Sequence, residues 1–272
     1  MSARRLAPSI AAASAVLAVV CAAAIRSQAP APPRPSARPG DVLKGLVTTV
    51  YDGDTIRVRL HGLGEEKVRL IGVDTPELDD EREPVRLLAF LAKRYAFSRL
   101  YRTTVELVRG PEERDDYGRL LAFVRTEGGE SFNVRLVRDG YAHAFLKFPF
   151  DEDLRRQLRE AEAEARRAGR GLWREEPYPV IAAEAASARV GEVLTVRFRC
   201  RRQFKRGGFH LLEAEGAAFD AAIPPEVFKT LPGSLDFAGR TLEATGLVEL
   251  YKGRPQIMIG LPVQLVRTGG QE

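Results

Sequence analysis

Apolar and polar positions alternate along residues 47–50, 55–60 and 68–73, and again along 105–108 and 120–125. Side chains two apart share a face of an extended chain, so each run is expected to be a half-buried strand. Asp52-Gly53-Asp54, between the first two, is a turn signal. The period then changes. Val85, Leu88, Leu91 and Tyr95 recur at helical spacing and predict a helix over 84–101. A short amphipathic helix is expected over 133–139, stopped by Gly140. Asp151 is placed to cap a longer one, with Leu154, Leu158, Ala161 and Ala165 on one face and Gly169 and Gly171 at its end. Strands first and helices later predict a small β-barrel with helices against it, over 42–177. Farther on, short strands dominate, at 193–199, 210–213, 217–223, 241–248 and 256–259, with one short helix at 225–230. Glycines punctuate them, which predicts a second small all-β barrel over 185–268.

The first 41 residues follow neither pattern. Arg4 and Arg5 precede an uncharged run over 6–25, so 1–28 is expected to be a signal peptide or, by its length, a membrane anchor. Export is expected in either case, with the folded part periplasmic, secreted or membrane-anchored. Residues 29–41 are proline-rich and read as an extended linker. Composition narrows the chemistry. Hydrophobic residues at 44% and charged residues at 29% exclude a disordered chain, and a net charge of +5 suits an anionic partner. Of two cysteines, Cys21 falls in the leader, so a mature chain keeps Cys200 alone and can form neither an internal disulfide nor a cysteine metal site. His61, His143 and His210 lack ligand spacing, which argues against zinc. No protein partner can be inferred, and a monomer is expected.

Candidate chemistry concentrates in the first barrel. Asp54 and Asp74 fall at strand ends, and their hard oxygens suit calcium, magnesium or manganese. Glu77 follows across Pro76, near enough to orient or deprotonate water. Arg69 and Arg119 are fork-shaped donors that can brace a phosphate as charge grows on it. Each piece alone is ordinary turn or ion-pair chemistry; their order within one small unit gives them weight.

Val50-Tyr-Asp-Gly-Asp-Thr55, Val68-Arg-Leu-Ile-Gly-Val-Asp-Thr-Pro-Glu77, Asp115-Asp-Tyr-Gly-Arg-Leu-Leu-Ala122 and Asn133-Val-Arg-Leu-Val-Arg-Asp-Gly-Tyr-Ala142 together resemble the thermonuclease family, the staphylococcal nuclease homologues. The helix around Ala161-Glu162 and Gly171-Leu-Trp173 fit the same pattern. The resemblance implies a mainly β fold with α, an OB-type five-stranded barrel plus three helices. It implies a calcium-dependent nuclease acting on DNA or RNA and leaving 3′-phosphate ends. Asp54 and Asp74 would bind Ca2+ with the Thr75 carbonyl; Arg69 and Arg119 would contact the scissile phosphate; Glu77 would be the general base; Tyr117 would contact a terminal phosphate. This chain departs from the pattern at Asp116, where a lysine is usual, and at Leu146 and Phe148, where nucleotide-facing tyrosines are usual.

The stretch 241–265 resembles OB-fold nucleic-acid-binding modules, making the second barrel OB-like. Arg201, Arg202, Phe204 and Lys205 form its densest basic and aromatic cluster, suited to phosphates and stacked bases. Two rival readings remain: a non-catalytic nucleic-acid binder on the same fold, and a cell-envelope interaction protein.

Overall fold

The structure, a computed structural model, describes residues 40–268. The expected leader and most of the expected linker lie outside them. The first barrel uses β1 (Val42–Val50), β2 (Thr55–Leu60) and β3 (Gly64–Leu70). The chain continues through β4 (Val73–Asp74), α1 (Glu83–Leu100), β5 (Thr104–Arg114), β6 (Leu120–Arg125), α2 (Phe132–Arg138), β7 (His143–Ala144) and α3 (Glu152–Arg167). The barrel closes in the order β1-β2-β3-β6-β5, with β5 paired back to β1. Its pairings are antiparallel except β3 against β6, which is parallel. The alternating apolar positions meet inside: Val47, Ile56, Val58, Val68, Leu107 and Val124 are fully buried.

Two strand expectations change, both near the site. The run 68–73 is broken because Gly72 turns the chain at φ 76°. Val73 and Asp74 leave the barrel and pair with β7 as a separate ribbon. The strand expected over 105–108 is longer: β5 runs on through an acidic stretch to Arg114, with a register shift between Arg109 and Arg114.

The helices pack on the barrel as the periodicity requires. α3 buries Leu158, Ala161 and Ala165, and Asp151 caps it by accepting a hydrogen bond from Leu154 N at 3.0 Å. α2 starts one residue earlier than expected, capped by Ser131. Its fully buried Asn133 accepts from Val124 N at 2.9 Å and donates to the Ile71 carbonyl at 2.7 Å, so one side chain ties α2 to β6 and to the turn after β3.

The second barrel uses β9 (Val193–Arg206), β10 (Phe209–Ala214), β11 (Asp220–Ile223), β12 (Thr241–Tyr251) and β13 (Arg254–Met258). β8 (Val180–Ala182) and β14 (Leu265–Arg267) extend its edges, and α4 (Pro225–Phe228) follows β11. β12 pairs with β9 and closes the circle β9-β10-β11-β13-β12. The third and fifth of these strands, β11 and β13, are again parallel. The two barrels therefore share one connectivity, as the OB-type expectation requires. β9 is longer than the 193–199 expected: it runs through Arg206, so the basic cluster lies on a paired strand and not in a loop.

α1 joins the barrels. Arg94 on its face forms an ion pair with Glu249 of β12, with both side chains largely buried. Near its middle Phe90 packs on Gly260, where an added Cβ would come within 2.0 Å of the ring.

Candidate active site

Asp54 ends the tight turn into β2 and is 6% exposed. A carboxylate buried that far must be compensated. Its Oδ2 accepts from Thr75 N at 3.0 Å and Thr75 Oγ1 at 2.9 Å, and its Oδ1 accepts from Thr55 Oγ1 at 3.1 Å. Arg69, on β3, adds Nη1 at 2.8 Å from Asp54 Oδ2 and Nη2 at 3.2 Å from Asp74 Oδ1. One guanidinium thus stands between two carboxylates that are distant in sequence. It also donates to the Val73 carbonyl at 3.0 Å, which fixes the ribbon carrying Asp74.

The surrounding acids feel this crowding. Partial burial, then the charges of Asp54, Asp74 and Asp79, hold the Glu77 carboxyl above its ordinary value. Asp52, which accepts from Asp54 N at 3.0 Å, is pushed up to about 6 by burial and by Asp54.

Arg119 is built differently. The 115–119 turn is closed by Asp115, whose Oδ1 accepts from Tyr117 N at 3.0 Å and Arg119 N at 2.9 Å, while Oδ2 takes Arg119 Nε at 2.6 Å. Partial burial works to raise the Asp115 pKa, and the hydrogen bonds and charge of Arg119 outweigh it and hold the group low. The clamp uses only Nε. The terminal nitrogens of Arg119 have no acceptor among the described residues, and its guanidinium lies 5.3 Å from the centre of the Tyr117 ring. Arg114 steadies the same turn, bonding Glu66 at 3.0 Å and the Gly118 carbonyl at 2.8 Å.

Arg69, Asp74, Tyr117 and Arg119 line one cleft of about 390 Å³, with Phe145 and Phe148 also in its lining. Asp54 and Thr75 sit behind Arg69, and Glu77 is exposed beside the two aspartates. Arg201, Arg202, Phe204 and Lys205 do not reach this cleft; they lie on β9 of the second barrel.

Sequence reasoning paired Leu146 and Phe148 with the usual nucleotide-facing tyrosines. Phe148 is half-exposed in the cleft, while Leu146 packs on the core. The second ring is supplied by Phe145, edge-on to Phe148 at 5.8 Å. Phe145 N donates to the Gly72 carbonyl at 2.8 Å, just beyond the β4–β7 pairing, and this sets which side chain faces out. Asp115 was not assigned a role from the sequence; an Asp two residues before a Tyr-Gly turn is the available signal.

The donor set tests the expected metal. Asp54, Asp74 and the Thr75 carbonyl offer oxygen alone, which fits a hard cation such as calcium. The two carboxylates already converge on one positive group, Arg69. Among the described residues no cluster of three or more His, Cys, Asp or Glu is arranged to hold a metal, so water would have to complete the shell.

The barrel, its three helices and this arginine-lined cleft define an OB-type protein with a cleft carrying two guanidinium groups. A family model, Staphylococcal nuclease homologue, matches residues 67–175. The thermonuclease of Staphylococcus intermedius is 38% identical over 128 residues, covering 47% of this chain and 74% of that protein. The thermonuclease of Staphylococcus hyicus is 34% identical, covering 47% and 73%. Endonuclease YhcR of Bacillus subtilis is 34% identical over 173 residues, which is 60% of this chain and 14% of that much longer protein. The chain belongs to the staphylococcal nuclease homologues.

Proposed function

We propose that this protein is a calcium-dependent nuclease that hydrolyses phosphodiester bonds within DNA or RNA, leaving 3′-phosphate and 5′-hydroxyl ends. The observation that carries this reading is the single cleft shared by Arg69, Arg119 and Asp74, with Asp54 tied to the same guanidinium as Asp74. The names of the relatives, thermonuclease and endonuclease, support it.

Asp54, Asp74 and the Thr75 carbonyl would hold calcium, which when bound supplies a Lewis acid at the phosphate. The remaining work falls to side chains. The Arg119 fork, held by Asp115, offers two N–H groups to phosphate oxygens. Arg69 adds a second positive group to the same cleft. Glu77 accepts the proton of the attacking water as its oxygen bonds phosphorus, and the bond from phosphorus to the 5′ oxygen breaks, that oxygen taking a proton from solvent to give the 5′-hydroxyl. Tyr117 and the Phe145–Phe148 wall give a nucleotide flat surfaces to stack on. The second barrel, through Arg201, Arg202, Phe204 and Lys205, helps to hold nucleic acid. Export through residues 1–28 belongs to the same reading, and fractionation of cells that make the full chain checks it.

The test is hydrolysis of single- and double-stranded DNA and of RNA, with calcium and with EGTA. Activity is expected with calcium, lost in chelator and restored by add-back. Arg69→Ala and Arg119→Ala are each expected to lower kcat by about 10²–10³-fold, measured under conditions where urea unfolding shows the variant still folded. Full activity in chelator would remove the metal; unchanged rates would remove the arginines. Binding without turnover under every condition would leave a non-catalytic nucleic-acid binder.

A further inference from the structure

The second barrel carries a charge arrangement that the catalytic reading does not use. Glu213 and Asp220 face each other across β10 and β11, and both are nearly buried. Two like charges directly opposed are unfavourable unless cations gather on them. Here they gather from separate strands. Glu213 pairs with Arg201 at 2.6 Å, with Arg202, and with Arg254 at 3.6 Å. Asp220 accepts from Arg254 Nε at 2.8 Å and faces Arg206 Nη2 at 3.9 Å.

Arg206 and Arg254 each sit at the foot of a hairpin tip. Arg206 is paired with Phe209 across Gly207-Gly208, and Tyr251 with Arg254 across Lys252-Gly253. Both tips are two-residue turns in which both residues have positive φ. At the first tip both are glycine, the residue such turns favour. At the second, Lys252 holds φ 51°, one of two non-glycine residues to do so among those described. A lysine there costs backbone strain that glycine would avoid. Asp220 therefore draws the feet of two hairpins to one carboxylate.

At the second tip Lys252 is exposed and in no ion pair among the described residues. Rings accompany the cations. Phe204 lies between the guanidiniums of Arg202 and Arg206, at 4.7 and 5.7 Å, and half-exposed Tyr251 carries the Lys252 ammonium at 5.6 Å. Five cationic side chains, Arg201, Arg202, Arg206, Arg254 and Lys252, against two carboxylates leave a positive face, with an aromatic ring beside each tip. Phosphates interleaved with flat bases have the complementary chemistry, and only an unpaired strand offers both together.

We propose that the β9–β10 and β12–β13 tips form a second grip for single-stranded nucleic acid, so that long strands are cut more readily than short ones. The proposal rests on the nuclease reading for its kinetic consequence alone. Because α1 ties this barrel to the first through Arg94–Glu249 and Phe90–Gly260, the grip stands at a fixed offset from the cleft. A strand too short to reach both gains nothing, whereas a longer one gains from two linked contacts.

The test uses the full chain with Tyr251→Ala and Lys252→Gly combined. Both residues are exposed, and glycine fits the Lys252 backbone, so folding is retained. The readouts are kcat and KM on a dinucleotide and on long single-stranded DNA and RNA over a salt series. Anisotropy of a labelled oligothymidylate in chelator gives binding without turnover. Polymer KM is expected to rise about tenfold and its log–log salt slope to become shallower by about 0.7, one phosphate contact. Dinucleotide kinetics are expected to stay as in the parent. Unchanged polymer KM, salt slope and oligothymidylate binding would overturn the grip, leave the nuclease reading standing and give this face to a protein partner. If the parent cuts nothing, the nuclease reading fails, and weakened oligothymidylate binding in the variant still supports the grip while unchanged binding overturns it.

Discussion

Arg69 and Arg119 look alike in sequence but are held in opposite ways. Arg119 is gripped at Nε by Asp115 and keeps its fork open to the cleft. The Arg69 fork is filled, by Asp54 on one nitrogen and Asp74 on the other. Arg69 is therefore a structural counter-ion as well as a cleft residue, and its loss strands a carboxylate that is 6% exposed. Removing one partner of a buried pair costs about 3–5 kcal/mol. Arg69→Ala is expected to lose about that much stability in chelator, read by urea unfolding, and to recover part of it when calcium is added. Equal stability in chelator would show that Asp54 needs no guanidinium. Arg69, Asp74, Tyr117 and Arg119 could be singled out in the sequence because each sits in a short motif with a turn signal, and they line one cleft. The pairing of Arg69 with Asp54 was not legible there, since it depends on how β2, β3 and β4 are laid side by side. The resemblance placed a cleft-facing position at Leu146, and the structure moves it to Phe145 for a related reason. A chain position is read as inward or outward only once its partner strand is known, and β7 pairs with a two-residue ribbon that periodicity cannot detect.

Helix ends depend on a similar long-range meeting. Gly140 stops α2 at φ 82°, as its place after an amphipathic run predicts. Its other duty appears only in three dimensions: the backbone passes so close to Gly171 that a Cβ on either residue would come within 2.2 Å of the other segment's carbonyl oxygen. Leu172 N donates to the Gly140 carbonyl at 2.8 Å across this contact. The end of α2 is thereby pinned to the turn after α3, and the two helices share one buried junction. Gly171→Ala is expected to destabilise the protein by about 3 kcal/mol, through its positive φ and the backbone clash together. A thermal-melt series in which Gly171→Ala and an exposed control, Gly128→Ala, lose the same stability would sink this account. Both glycines have positive φ, but nothing lies within 4 Å of a Cβ at Gly128, so the difference between them isolates the close approach. β9 teaches the same lesson for strands. Its basic half lacks the alternation that marks a half-buried strand, yet pairing with β10 carries it to Arg206.

The two barrels are one body because α1 presents a face to each. On the side away from the first core, Arg94 meets Glu249, whose carboxyl burial holds above its ordinary value against the opposing pull of Arg94. Such a pair contributes geometry more than stability, since desolvation offsets most of the attraction. Arg94→Met alone is expected to cost about 3 kcal/mol at neutral pH by leaving Glu249 charged and unpaired, and Arg94→Met with Glu249→Leu is expected to regain most of it. The sign with pH follows from the raised carboxyl. Its protonated form is favoured in the folded protein, so the loss in Arg94→Met is full above the raised pKa and shrinks as pH falls through it. Urea unfolding of parent, single and double variants between about pH 4 and pH 8 measures this. A deficit in the single variant that does not change with pH would mean that Glu249 finds another partner. If the double variant is as stable as the parent but loses the length dependence of strand cleavage, the ion pair sets the spacing between cleft and grip. That separation of stability from spacing is what two similar barrels held by one helix should allow.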